Sequence, residues 1–153
     1  MRFLEHKIPP PVVTIVAIVL MWLLARATPL FRMDNPFRYE LAIVLILLGV
    51  LVSFLGMREF TRHAASSDPR HPDRTDVLVT SGIYRRTRNP MYLGLAIALC
   101  GIAWYLSNLL TVIVIGAFMI YLTYFQILPE ERVLASKFGE PGAAYLQRVR
   151  RWI

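Results

Sequence analysis

Tyr84, Arg88, Asn89 and Tyr92 crowd into nine residues, with Pro90 and Met91 beside them opening a long apolar run. A guanidinium that grips anions, an amide edge that donates and accepts, and phenols that offer a ring face and a hydroxyl thus meet at a polar-to-apolar boundary. That set suits a place where a charged cofactor meets a lipid. Glu130 and Glu131, far along the chain, are the acids nearest the apolar phase on the same side. Each residue also has a purely structural role open to it: a snorkelling topology charge for Arg88, an aromatic belt for the tyrosines, a dipole-matched helix start for the glutamates. Their joint appearance at the two ends of one apolar hairpin weighs toward function.

Other chemistries find little footing. His6, His63 and His71 are scattered without ligand spacing, and Cys100 lies between Leu99 and Gly101 in an apolar run, so no metal site is expected. A single cysteine forms no intrachain disulfide and reads as a buried, inert thiol. Serine-nucleophile, Walker and dinucleotide glycine motifs are absent.

The elements that must position these groups are membrane spans. The 153 residues are 56% apolar with mean hydropathy +0.51, well above a soluble domain. Apolar runs cover Val12 to Ala25, Leu41 to Met57, Met91 to Leu106 and Leu109 to Leu128. With flanking residues they predict four transmembrane helices, at about 10–27, 40–57, 90–106 and 109–128, in one all-α integral-membrane domain covering 1–153. Only Tyr105 to Asn108 look like a turn between the third and fourth spans, which therefore form a tight antiparallel hairpin. Arg2 and Lys7 before the first run imitate a signal peptide, but Pro9, Pro10, Pro11 and Arg26 argue for a retained span.

Charge sets the expected orientation. Two basic residues precede the first span, three lie in the first loop, seven run from Arg58 to Arg88 and five follow the fourth span, so one side holds fourteen and the other three. The positive-inside rule makes the richer side cytoplasmic, with both termini there. The net charge of +7 then reflects topology and headgroup contacts, not nucleic-acid binding.

Between the second and third spans, Arg58 to Asn89 reads as a long loop, turn-rich from Ala64 to Asp73 and extended from Asp76 to Thr80 before a Ser81-Gly82 turn. Asn89 has the identity of an N-cap and Pro90 that of a first helical residue. Antiparallel packing of the hairpin brings Asn89 to Tyr92 beside Gln126 to Glu131, and Gly94, Ala98, Gly101, Gly116 and Ala117 read as its contact positions. Pro129 should redirect the chain into a short helix ending at Phe138-Gly139, with Pro141 opening another. Tyr145, Val149 and Trp152 then fall on one face, an interfacial amphipathic pattern.

In these blocks the chain resembles the integral-membrane isoprenylcysteine carboxyl methyltransferases and their phospholipid N-methyltransferase relatives. The resemblance rests on Val79-Thr80-Ser81-Gly82-Ile83-Tyr84, Arg88-Asn89-Pro90-Met91-Tyr92, Glu130-Glu131, Phe138-Gly139, Tyr145 and Arg148-Val149, in the family's order and spacing from about Asp76 onward. It implies an S-adenosylmethionine-dependent methyltransferase whose cofactor is held by Asp76, Val77, Leu78, Val79, Tyr84, Asn89, Pro90, Met91, Tyr92 and Glu130, under capping C-terminal helices. It assigns Arg88 and Glu130 to the catalytic centre and Gln126 to substrate binding. Asn89 stands where the family carries histidine, and Gln126 where the prenylcysteine enzymes carry an arginine that grips a carboxylate, which favours an amine, neutral or smaller lipid acceptor. Gly142 replaces a common tyrosine.

The expected partners are the bilayer and a lipid-like or prenylated acceptor, without metal or nucleic acid, in a bacterial or archaeal inner membrane or an endomembrane. The sequence leaves open the acceptor, O- against N-methylation and oligomeric state. Two other readings stand: an NADPH-dependent reductase of sterol-reductase-like architecture, with Arg148, Arg150 and Arg151 as a phosphate pocket, and a non-enzymatic membrane subunit.

Overall fold

A computed structural model describes residues 7–65 and 77–153, the side chains of 64 and 65 excepted. Its helices are α1 (Pro10–Ala27), α2 (Arg38–Ala65), α3 (Pro90–Leu106), α4 (Thr111–Leu122) and α5 (Leu128–Arg148), with a π turn over Thr123–Ile127. No strand forms among the described residues. α1, the greater part of α2 and the α4-to-α5 stretch are each long and apolar enough to cross a membrane, and α3 is a shorter apolar helix.

α3 is the central helix. On one side, Ala96 and Leu99 join Ala17 and Met21 of α1 and Ile115, Phe118 and Leu122 of α4 in the buried core. On the other, α3 lies almost backbone to backbone with α2. A Cβ on Gly94 would strike Ser53 and the Gly49 carbonyl, one on Gly49 would sit 2.7 Å from the Ala98 nitrogen, and one on Gly101 would meet the Ala42 carbonyl at 2.9 Å. The expectation that Gly94, Ala98 and Gly101 close the α3–α4 hairpin is therefore corrected: these small residues admit α2. Gly116 has nothing within 4 Å of a Cβ position and is no contact site. The outward apolar residues of α2, among them Ile43, Val44, Leu47 and Phe54, are more than half exposed, as a lipid-facing surface requires.

α2 also runs farther than its apolar stretch. It stays helical through Arg58 to Ala65, so this part of the expected central loop is helix. No Gly or Pro interrupts it there, and Arg62 and His63 in the last turn suit the negative end of the helix dipole. The turn-rich stretch beyond Ala65, with His71 and Asp76, lies outside the described residues.

At the opposite end the α1–α2 and α3–α4 connections are tied together. The Met33 N–H donates to the Ser107 carbonyl (2.8 Å) and the Leu109 N–H to the Phe31 carbonyl (3.2 Å), while Asn108 Nδ2 donates to the Thr28 carbonyl (2.9 Å). Ser107, at φ 50°, ends α3 and makes the turn tight.

Pro129 does not redirect the chain. Helical backbone continues from α4 through the π turn into α5, and the widened turn directly ahead of Pro129 accommodates a ring without an N–H donor. The break comes at Gly139 (φ 55°, ψ −130°), where the helix kinks before Pro141 as the sequence suggested. The final residues also differ from an interfacial helix. The chain leaves α5 in extended conformation at Val149, and Tyr145 and Val149 are buried.

Candidate functional site

Four devices aim the residues. Ser81 Oγ donates to Glu59 Oε1 (2.5 Å) and lies 3.1 Å from His63 Nε2, pinning the chain to the end of α2. Gly82 follows at φ 55°, in the left-handed region, where a Cβ would also lie 2.9 Å from Glu59 Cδ. A 3-10 turn over Gly82–Arg85 then turns Tyr84 inward, 8% exposed, and the Tyr145 hydroxyl donates to the Tyr84 carbonyl (3.0 Å). Pro90 starts α3 as its first residue.

Asn89 sits at the N-cap position but makes no side-chain cap. Its Nδ2 instead donates to the Arg151 carbonyl (2.9 Å), beside an Arg88 N–H bond to the Arg150 carbonyl (3.1 Å). The C-terminal strand of backbone is thus laced onto the loop entering α3. Trp152 completes the lacing through Nε1 to Thr123 Oγ1 (3.2 Å).

The hairpin delivers the distant cluster. The Tyr92 hydroxyl donates to Glu130 Oε1 at 2.6 Å, a short charge-assisted bond. Glu131 is held between two guanidinium groups, Arg88 at 3.1 Å and Arg151 through two parallel bonds of 2.8 Å. Burial pulls the Arg88 pKa down, opposed by Glu131 and reinforced by Arg151. Its Nε is buried without a hydrogen-bond partner. The Tyr84 phenol is pushed up to about 12 by burial first and then by Tyr145 and Glu130, so it is neutral at physiological pH. The Glu131 bond raises Arg151.

These groups surround a cavity of about 470 Å³, within the roughly 300–1,000 Å³ typical of small-molecule sites. Val77, Leu78, Val79, Tyr84, Arg88, Asn89, Pro90, Met91, Tyr92 and Glu130 all line it. Phe60, Val133 and Leu134, apolar walls from α2 and α5 that the sequence did not single out, line it too, with Tyr145. They carry no local signal, since only the fold shows that the end of α2 and α5 line one cavity. Asp76 lies outside the described residues. Gln126 is not in the lining. It is buried in the π turn, where its Nε2 donates to the Ile8 carbonyl (2.9 Å) and ties down the chain ahead of α1.

A second cavity of about 490 Å³ adjoins the first. It is almost wholly apolar, walled by Pro10 and Pro11, by Gly49, Val50 and Phe54 of α2, and by Gly94, Leu95 and Ala98 of α3. Met91 and Tyr92 line both cavities. A chamber that carries a cluster of polar groups and one that is almost wholly apolar therefore share a wall at Tyr92, the donor of the Tyr92–Glu130 bond.

Among known proteins, a family model described as phospholipid methyltransferase matches residues 37–141, from the start of α2 to the kink in α5. A Haemophilus influenzae protein described as uncharacterized is 40% identical over 63 residues, which are 41% of this chain and 100% of that protein. No solved structure matches.

Proposed function

This chain belongs to the phospholipid methyltransferase family, and from that premise we propose that it transfers a methyl group from S-adenosylmethionine to a lipid-like acceptor at the cytoplasmic membrane face. The observation that carries the reading is the Tyr92–Glu130 bond on the wall between a cavity with clustered polar groups and an almost wholly apolar one. The donor set fits the cofactor. Glu130 keeps acceptor capacity beyond the bond from Tyr92, enough for ribose hydroxyls or an ammonium. The backbone of Val77 to Val79, in no helix, suits an adenine edge, and the Tyr84 and Tyr92 rings suit a cation.

S-adenosylmethionine, if held by Tyr84, Asn89, Tyr92 and Glu130, would supply an electrophilic methyl group on a cationic sulfur and would leave as the neutral thioether. The protein's part is positioning and dryness. Base chemistry is not required of Arg88: a guanidinium paired to Glu131 remains a cation and serves to orient an anionic group of the ligand. An amine acceptor must lose a proton, for which Glu130, Glu131 or the lipid phosphate are candidates. The apolar cavity between α1, α2 and α3 accommodates the acceptor's hydrocarbon, so it enters from the bilayer while the cofactor enters from the charged side. Arg148 and Arg150 do not line the cavity and Arg151 is committed to Glu131, so the geometry gives a reductase reading no support.

The test is methyl transfer from labelled S-adenosylmethionine to extracted membrane lipids by the purified chain. Label in the lipid phase that vanishes with Glu130→Gln is the expected result. A well-folded protein that labels no lipid from any membrane extract would reject the proposal.

A further inference from the structure

The face opposite the proposed site carries a second polar cleft, and nothing in methyl transfer uses it. The cleft, of about 390 Å³, is lined by Arg32, Met33, Asp34, Asn35, Arg38 and Ser107. The bonds that tie the Phe31–Met33 segment to Ser107–Leu109 make it a built feature.

Arg38 is its most informative residue. The guanidinium carbon lies 4.6 Å from the Tyr105 ring centroid and 5.4 Å from that of Tyr39, so two aromatic faces fix its plane. Its Nε is buried with no hydrogen-bond partner. Among the described residues no carboxylate reaches Arg32 or Arg38 at ion-pair distance, although Asp34 lines the same cleft. A buried, oriented donor without an acceptor marks an unfilled ligand position, because leaving it unmet is costly. Two guanidinium groups around one polar cleft match a phosphate, which arginine binds through paired N–H bonds.

The surroundings identify the source of that phosphate. Leu30, Phe37 and Leu109 stand largely exposed beside it, and Trp104 Nε1 donates to the Phe37 carbonyl. Apolar and aromatic side chains of this kind at the end of a membrane helix belong at the headgroup layer. We propose that the cleft binds the phosphodiester of a phospholipid headgroup in the leaflet opposite the methyl-transfer site. Asp34 gives the cleft one negative charge against two positive ones. A headgroup with an amine beyond its phosphate matches both signs, whereas free phosphate matches only one.

The experiment is native mass spectrometry of the full chain, delipidated in detergent and then titrated with phosphatidylethanolamine, with diacylglycerol, or with inorganic phosphate. Phosphatidylethanolamine is expected to give one saturable adduct more than diacylglycerol, and inorganic phosphate none, with that additional adduct weakened at least about tenfold in Arg32→Gln/Arg38→Gln. Should that variant not fold, Arg38→Lys serves, because it keeps the charge but loses the stacked fork and is expected to bind more weakly. Undiminished lipid binding by the variants, equal binding of diacylglycerol, or competition by free phosphate would each overturn the proposal. S-adenosylhomocysteine binding should be unaffected by either variant, which separates this site from the proposed activity.

Discussion

Replacing Glu131 by Gln removes one charge from between two guanidinium groups of unequal burial. The Arg88 and Glu131 side chains are 11% and 14% exposed, whereas Arg151 is 35% exposed. Breaking a buried pair by deleting one partner costs about 3–5 kcal/mol, since the other charge stays buried and uncompensated. A pair reaching solvent contributes only about 0.2–1 kcal/mol after screening. Glu131→Gln should therefore cost about 3 kcal/mol and Arg151→Gln about 1, with the difference assigned to Arg88. Equilibrium unfolding in mixed micelles followed by tryptophan fluorescence measures both, and Trp152, bonded to Thr123 near the pair, reports on the region. A cost for Glu131→Gln no larger than that for Arg151→Gln would refute a buried Arg88 counter-charge at the cavity wall.

Other consequences are equally specific. Gly94→Ala places a methyl against Ser53 and the Gly49 carbonyl, so it should destabilise the fold by about 1–3 kcal/mol or more, while Gly116→Ala should be neutral or stabilising in the same unfolding assay. Gln126→Ala should lower stability by about 0.5–1.5 kcal/mol through the lost bond to the Ile8 carbonyl, yet leave S-adenosylhomocysteine affinity within about twofold. Alkaline stability should respond to Tyr84: its folded-state pKa of about 12 exceeds the unfolded value of 10.0, so its contribution is complete below pH 10 and is lost as pH rises toward 12. Tyr84→Phe should flatten that part of the pH–stability curve.

Much of this was legible in the sequence because membrane helices announce themselves by apolar length. α1 and α3 begin and end where Pro10, Pro90 and the Ser107 turn suggest, and the hairpin brings Tyr92 to Glu130 as antiparallel packing requires. The kink at Gly139 was visible for the same reason that glycine favours a positive φ. What stayed hidden depends on partners. Gly94 and Gly101 show that a backbone comes close without showing whose, and it is α2, not α4. The identity of Asn89 suits a cap, but its oxygen caps nothing and its Nδ2 donates to the Arg151 carbonyl instead, a partner that local sequence does not show. The helical Arg58 to Ala65 stretch lacks an apolar stripe to reveal it, and continuation through Pro129 depends on a π turn without a sequence mark. Pairing of Arg151 with Glu131 joins residues that no periodicity connects.

Isothermal titration with S-adenosylhomocysteine, on the wild-type chain and on Glu130→Gln, tests the central claim most directly. Saturable binding by the wild type, weakened at least about tenfold by the substitution, is the expected result. No heat from a folded wild-type protein at millimolar ligand, or equal affinity in the two proteins, would contradict it.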